Sequence, residues 1–325
     1  MFFGEGDHEH RDRIMRAKLP ASSPGVFFRM SIWVFILALP GCSLQKLAVD
    51  RLGNALAESS SVYATDDDPD LVGAALPFGL KTIEGLLAQS PHNRGLLLAV
   101  TSGFTQYAYG FVQTEADFIE DSDMIRAISL RERALRLYRR ALGYGIRGLE
   151  EVRPGFADLL KSDPGKALAP LGKKDVALLY WTAAAWGAAI SLDKTDPALS
   201  ADLPKVEALI RRALELDAEF GTGILYDFMI VYEGGRPAAA GGSIDRARES
   251  LTRAVQLSAG RRAAPLVAFA ETVDVPMQDR VEFKKLLDQA LVVNIEDAPD
   301  QRLSNIMAQR RARWLLGRMD RLFLD

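Results

Sequence analysis

The stretch Gly234-Gly235-Arg236-Pro237-Ala238-Ala239-Ala240-Gly241-Gly242 constrains this chain more than any other. No helix runs through two glycine pairs and a proline, so the segments on either side must be separate helices. On the N-terminal side, Leu225, Phe228, Met229 and Tyr232 fall at i, i+3, i+4 and i+7, one apolar face of a helix. On the C-terminal side, Ser243 offers a hydroxyl N-cap, and Ala247, Leu251, Ala254 and Val255 form the second stripe. Neither helix of this unit, which runs from Gly221 to Ser258, buries its stripe alone. It needs neighbours of the same kind.

Those neighbours are visible as a recurring small–large apolar pair late in the second helix. It reads Arg211-Arg212-Ala213-Leu214, Thr252-Arg253-Ala254-Val255 and Asp288-Gln289-Ala290-Leu291, with Arg139-Arg140-Ala141-Leu142 as an earlier, more degenerate copy. The intervals are 72, 41 and 36 residues, the first being twice 36. A tetratricopeptide repeat has a period of about 34 residues, with small residues where helices touch. The chain is 48% hydrophobic and 26% charged, enough for a sizeable core, and shows no flexible linker. The expectation is an all-α fold: a stacked helix-hairpin, tetratricopeptide-like array forming one continuous domain over residues 42–325. An irregular helical bundle, in which Ala-Leu pairs recur by chance, is the alternative.

The N-terminus speaks to compartment. Arg11, Arg13, Arg16, Lys18 and Arg29 precede the apolar run Ile32 to Leu39. About twenty apolar residues span a bilayer, so this run is too short to do so. Basic region, short apolar region and small residue together read as a secretory signal over residues 1–41. Residues 1–14 are acidic and atypical, and a start at Met15 would leave a more ordinary leader. Leu39-Pro40-Gly41-Cys42 resembles the lipobox of bacterial lipoproteins, with Pro40 departing from the usual small residue. That resemblance implies a diacylglycerol on the thiol of Cys42, the sole cysteine, and its exposure as the new N-terminus. Ser43 resembles the sorting pattern for the outer membrane, so the expected location is the periplasmic face of that membrane, lipid-anchored.

Most catalytic classes lack their residues. Of His8, His10 and His92, only His92 lies beyond the leader, which removes histidine triads and histidine metal clusters. Gly221-Thr222-Gly223 lacks the third glycine and preceding strand of a dinucleotide site. Asp66-Asp67-Asp68-Pro69-Asp70 invites a calcium reading but lacks the spaced ligands and later Glu of a calcium loop. Asp68 as N-cap with Pro69 at N1 is the better account. With a net charge of −3 and no basic nucleic-acid face, no nucleic-acid partner is expected, nor any metal, cofactor beyond the lipid, or enzymatic activity.

Further helices follow the apolar spacing. One runs to about Gln89 through Leu76, Leu80, Ile83 and Leu87. Another extends from Asp121-Ser122 to about Glu150 with Ile128, Leu135, Tyr138, Leu142, Ile146 and Leu149 inward and an arginine-rich opposite face read as solvated. Breakers between Pro154 and Lys174 interrupt the phase, and Asp175 is expected to cap a central helix from Val176 to Leu192. A last helix from about Gln301 to Phe323 would cap the stack. Within Thr101 to Gln113, Phe104, Tyr107 and Phe111 share a face, while Gly103 and Gly110 imply close packing. Phe104, Gln106, Tyr107 and Phe111, with Trp181 and Tyr226 behind them, are the ligand-groove candidates. Plain helix–helix contact is the alternative reading of the same aromatics.

From Asp66 to its end the chain resembles the T component family of tripartite ATP-independent periplasmic (TRAP) transporters. The likeness rests on Asp66-Asp67-Asp68-Pro69-Asp70 with Pro77, and on Ser102-Gly103-Phe104-Thr105-Gln106-Tyr107-Ala108-Tyr109. It continues through Gly234-Gly235 with Gly241-Gly242, Ala264-Pro265, Phe283 and Arg302-Leu303-Ser304-Asn305. The resemblance implies a non-enzymatic, tetratricopeptide-like periplasmic lipoprotein. It further implies association with a periplasmic TRAP solute-binding protein, and homo-oligomers with a trimer as the candidate state. The implied role is aiding uptake of a small ligand, for which a hydrophobic one is the candidate. An envelope scaffold or adaptor in outer-membrane or cell-wall assembly is the competing function.

Overall fold

Asp68 opens the first long helix: its carboxylate accepts the backbone N–H groups of Asp70 and Leu71, and Pro69 stands in the first turn. Asp66 in turn accepts the N–H of Asp68 at 2.8 Å, so this acidic run is a helix start. The computed structural model describes residues 60–324. The leader and Cys42 lie outside the described residues.

A short helix α1 (Ser60–Ala64) precedes α2 (Pro69–Gln89). α3 runs from Arg94–Tyr107 through a wide π turn, Ala108–Gln113, into Thr114–Ile119. α4 is Met124–Glu150, followed by the short helices α5 (Phe156–Ser162) and α6 (Pro164–Leu168). Next come α7 (Val176–Leu192), α8 (Pro197–Ser200) and α9 (Leu203–Leu216). α10 (Ile224–Gly234) and α11 (Ile244–Leu257) flank the breaker loop, and Ser243 caps α11 as expected. α12 joins Ala264–Phe269, a second π turn Ala270–Asp274 and Val275–Met277; α13 (Arg280–Leu291), α14 (Arg302–Leu316) and α15 (Met319–Leu322) complete the chain. No strand occurs among the described residues.

Four hairpins emerge: α3/α4, α7/α9, α10/α11 and α12/α13, each packing on the next. The alanines of the repeated small–large pair, Ala141, Ala213, Ala254 and Ala290, sit on the second helix of each hairpin and are all fully buried. Small side chains there let helix backbones approach and interlock at interior density. The same logic shapes α4, whose buried line is Ala127, Ala134, Tyr138, Ala141, Gly145, Gly148 and Leu149. A Cβ on Gly145 would overlap the Thr182 hydroxyl of α7, so that crossing needs glycine.

This close approach corrects the face expected for α4. Ile128 is half-exposed, and Leu135, Leu142 and Ile146 are only partly buried, because the small residues hold the centre and push the larger ones to its flanks. The arginine face is not merely solvated either. Arg126 pairs with Glu115, Arg131 with Asp117 and Glu120, Arg139 with Asp193 and Asp196, and Arg140 with Glu84. Asp175 likewise departs from its expected role. A 3-10 turn, Lys173–Asp175, brings its buried carboxylate back to the Gly172 N–H and to Arg94, so it does not cap α7.

The core divides along α10. Leu225, Met229 and Tyr232 join the core built from α2 to α9, while Ile230 joins the core of α11 to α14. Glu233, fully buried at the end of α10, accepts from Arg246 at 2.7 Å and faces Arg236 and Arg211, which ties the breaker loop to both helices.

The array then closes on itself. α14 packs against α13 and α12 through Ala312 and Leu315 and returns to α1 and α2. Met307 stands 3.6 Å from the Cβ position of Gly110 in α3, and the rings of Trp314 and Phe118 are 5.3 Å apart. Arg311 reaches Asp117 at 3.0 Å and Arg318 reaches Asp121 at 2.8 Å. The terminal helix is therefore both a cap and a clasp.

Candidate functional site

Closure gives the first helices of the hairpins a common inner surface. α3 contributes Tyr109 and Asp117, α7 Tyr180, α10 Asp227, α12 Glu271 and α14 Arg311, with Arg262 from the loop before α12. Both π turns lie on this surface, carrying Tyr109 and Glu271. A π turn spreads and re-aims the side chains it carries, and such turns recur at functional positions.

Tyr109 is 54% exposed on the π turn of α3. Burial raises the pKa of its hydroxyl; Arg311 opposes the shift, and Glu271, Asp117 and Asp227 add to it. Tyr180, 8% exposed, holds its ring between Trp181 at 4.8 Å and Phe220 at 6.2 Å. Its hydroxyl is also pushed up, first by burial and then by Asp227, with Arg262 opposing and Tyr109 adding.

Every guanidinium here is committed. Arg262 is buried and clasps Asp227 with both terminal nitrogens, one of which also reaches the Thr222 carbonyl. Burial raises the Asp227 pKa, and Arg262 opposes that shift by charge and hydrogen bond. Arg311 donates its Nε to Glu271 at 2.7 Å, a second nitrogen to Glu271 and Nη1 to Asp117 at 3.0 Å. Burial works against its charge, but the Glu271 bonds and the acids around it hold it above its ordinary value.

Beside Arg262 a cleft of about 220 Å³ opens, walled by Thr222, Arg261, Arg262, Asp297, Asp300 and Gln301. Thr222 has φ +54°, a left-handed conformation costly for a β-branched residue, and such strain is often kept at binding sites. A larger groove of about 620 Å³ lies on α13 between Val281, Lys284, Lys285 and Met319. Its residues are separate from those of the inner surface.

The groove candidates chosen from sequence fall elsewhere. Phe104 is buried, stacked on Tyr144 at 6.2 Å beneath Arg140. Tyr107 is buried too, its hydroxyl accepting from Arg133 at 3.0 Å. Phe111 stacks on Tyr107 and fills the space that a Cβ on Gly73 of α2 would need. These three pack α3 against α2 and α4; they form helix contacts and no groove wall. Gln106 is exposed, its amide donating to the Ser102 carbonyl at 3.3 Å. Trp181 and Tyr226 are half-buried and make no ring contact with the α3 aromatics among the described residues. Each, however, is next in the chain to an inner-surface residue, Tyr180 or Asp227. Sequence reasoning therefore pointed to an aromatic stripe that packs between helices, and passed over its polar-tipped neighbours Tyr109, Tyr180 and Asp227. Tyr109 stood inside the quoted motif; Arg262, Glu271 and Arg311 carried no local signal.

The comparisons with known proteins come to this geometry from outside. A family model described as TRAP transporter T-component matches residues 65–323. A protein of Treponema pallidum (strain Nichols), itself described as uncharacterized, is 29% identical over 307 residues, covering 89% of this chain and 95% of its own length.

Proposed function

The chain belongs to the TRAP transporter T-component family, a transport accessory family and not an enzyme family; from that premise we propose that it docks a periplasmic TRAP solute-binding protein and helps a small ligand along its inner surface. The observation that supports this reading is the closure of the array, in which Arg311 of α14 bridges Asp117 of α3 and Glu271 of α12, and Met307 approaches the π turn that carries the exposed Tyr109. Lipidation at Cys42 would hold the protein at the periplasmic face of the outer membrane, where a donor or acceptor protein can reach it.

An outer face favours protein contact as well. α2 is long and apolar but leaves most of that length uncovered, with Leu71 and Phe78 exposed. Met124, Ile125 and Ile128 at the start of α4 are exposed beyond it. Exposed apolar side chains of this kind mark association sites, and self-association is our reading of them. The same side chains are the feature that would favour the scaffold alternative.

Crosslinking in native envelopes, followed by isolation of the lipidated protein and mass spectrometry, tests the assignment. A solute-binding protein as the main partner supports the transport reading, and its own ligand identifies the cargo. Outer-membrane assembly factors or peptidoglycan enzymes in its place would move the function to envelope scaffolding.

A further inference from the structure

The cleft beside Arg262 is built mainly from two loops, each of which follows the second helix of a hairpin. The loop after α11 supplies Ser258, Arg261 and Arg262, the loop after α13 supplies Asp297, Asp300 and Gln301, and Thr222 before α10 adds to the lining. At about 220 Å³ the space lies below the roughly 300–1,000 Å³ of sites that take drug-sized ligands, so it suits a compact molecule. Its walls are pinned. Asn305 of α14, fully buried, accepts the N–H of Ala263 at 2.9 Å and donates to the Arg261 carbonyl at 2.9 Å. Arg262 is clasped by Asp227 and reaches the Thr222 carbonyl at 3.4 Å. The loop before α12 is thereby tied to α14 and to the turn before α10. A cleft held by such bonds is formed in advance, which spares a ligand part of the ordering cost of binding.

The charges in this cleft are of both signs and do not meet. Arg261 donates Nε to the Ser258 carbonyl at 3.2 Å, and its two terminal nitrogens have no partner among the described residues. Asp297 accepts from the Asn294 side-chain amide at 2.7 Å and Asp300 from the Gln301 side-chain amide at 3.3 Å. Among the described residues neither carboxylate pairs with a cation, although Arg261 lines the same cleft. The other guanidiniums close by are spent, Arg262 on Asp227 and Arg302 on Glu296. One loop therefore offers a free guanidinium end, and the other offers two carboxylates with accepting capacity left. A lone carboxylate drawn to Arg261 would meet two acids; a lone amine drawn to the acids would meet Arg261. A molecule that carries both groups satisfies both loops through charge-assisted hydrogen bonds.

We propose that this cleft binds a compact amino carboxylate, with its carboxylate on the terminal nitrogens of Arg261 and its ammonium on Asp297 and Asp300. The site stands on its own lining residues, apart from any face that docks a partner, and its ligand does not depend on the transport reading.

The test uses L-norvaline and two probes that each lack one of its charged groups, pentanoate and butan-1-amine. Isothermal titration calorimetry at pH 7 is run on the mature chain carrying Cys42→Ser, which leaves residues 60–324 untouched. Norvaline is expected to bind at least tenfold more tightly than either of the other probes. Arg261→Gln should weaken norvaline about tenfold or more and leave it no tighter than butan-1-amine. Asp297→Asn with Asp300→Asn should likewise leave it no tighter than pentanoate. All three side chains are exposed, so the variants should melt with the parent. A single-charge probe that binds as tightly as norvaline overturns the proposal, as does a variant that binds norvaline like the parent. Absence of norvaline binding at millimolar concentration overturns it too, and leaves the transport reading to be decided separately by partner capture in envelopes.

Discussion

Asp274 makes the stability of this protein fall as the pH rises. It sits at the end of the π turn of α12, 1% exposed, with Oδ2 unpartnered. From α13 it faces Glu282 and Asp279, and from α11 Arg248, which is already committed to Glu282 through two bonds of 2.6 and 2.7 Å. Burial, then the charges of Glu282 and Asp279, push its pKa up to about 7, with Arg248 opposing. In the unfolded chain an aspartate titrates near 4. Between those values the folded state keeps a proton that the unfolded state has lost, so each added pH unit costs folding about 1.4 kcal/mol. The stabilisation is whole below about pH 4, declines up to about pH 7 and is gone above it, a total of roughly 4 kcal/mol. Asp274→Asn removes the titration while keeping size and a donor for Glu282. The variant should therefore melt close to the parent at pH 4 and roughly 8–16 °C above it at pH 8, at 2–4 °C per kcal/mol for a domain of this size. Differential scanning calorimetry across pH 4–8 reads the gap directly. A gap that is the same at pH 4 and pH 8 would mean that the amide acts by packing alone, and the argument from burial would fail.

Three other outcomes follow from the geometry. Arg311→Met removes the bridge between α14, Asp117 and Glu271; Asp117 keeps Arg131 and Glu271 is one-third exposed, so about 2–3 kcal/mol should be lost, with protease cleavage appearing first in α14. Gly145→Ala forces a methyl into the Thr182 hydroxyl and should cost about 1–3 kcal/mol by urea unfolding, whereas Gly143→Ala, with open space around it, should be neutral or stabilising. Phe78→Ser with Ile125→Ser, at positions 80% and 84% exposed, should leave the melting temperature unchanged and shift the mass from light scattering toward the monomer; an unshifted mass would remove this face from self-association.

The hairpins were legible because they are local. Breaker residues separate Gly234 from Ser243, the caps Asp68 and Ser243 start α2 and α11, and the recurrent alanines mark each second helix. Legibility weakened where a small residue outranked a large one. Apolar periodicity put Ile128 inward on α4, but the buried line there runs through Ala134, Ala141 and Gly145, and at Gly145 the side chains of Thr182 and Thr101 already stand within 3.1 Å of a Cβ position. The buried line of such a helix follows its smallest residues.

The site was harder to read for a different reason. Periodicity reports which residues share a face, but not which face looks toward the axis of a ring. In α3 the most apolar face, Phe104, Tyr107 and Phe111, is drawn to α2 and α4 because burial there is worth more than exposure to an inner surface. What remains for the inside is the amphipathic remainder, and Tyr109 is its largest member. Inner walls of closed helical arrays should thus be sought one step away from the most hydrophobic stripe, at polar-tipped residues that the core cannot fully use. Closure itself supplies the other half: Asp117 and Arg311 are 194 residues apart, and their meeting joins α14 to α3.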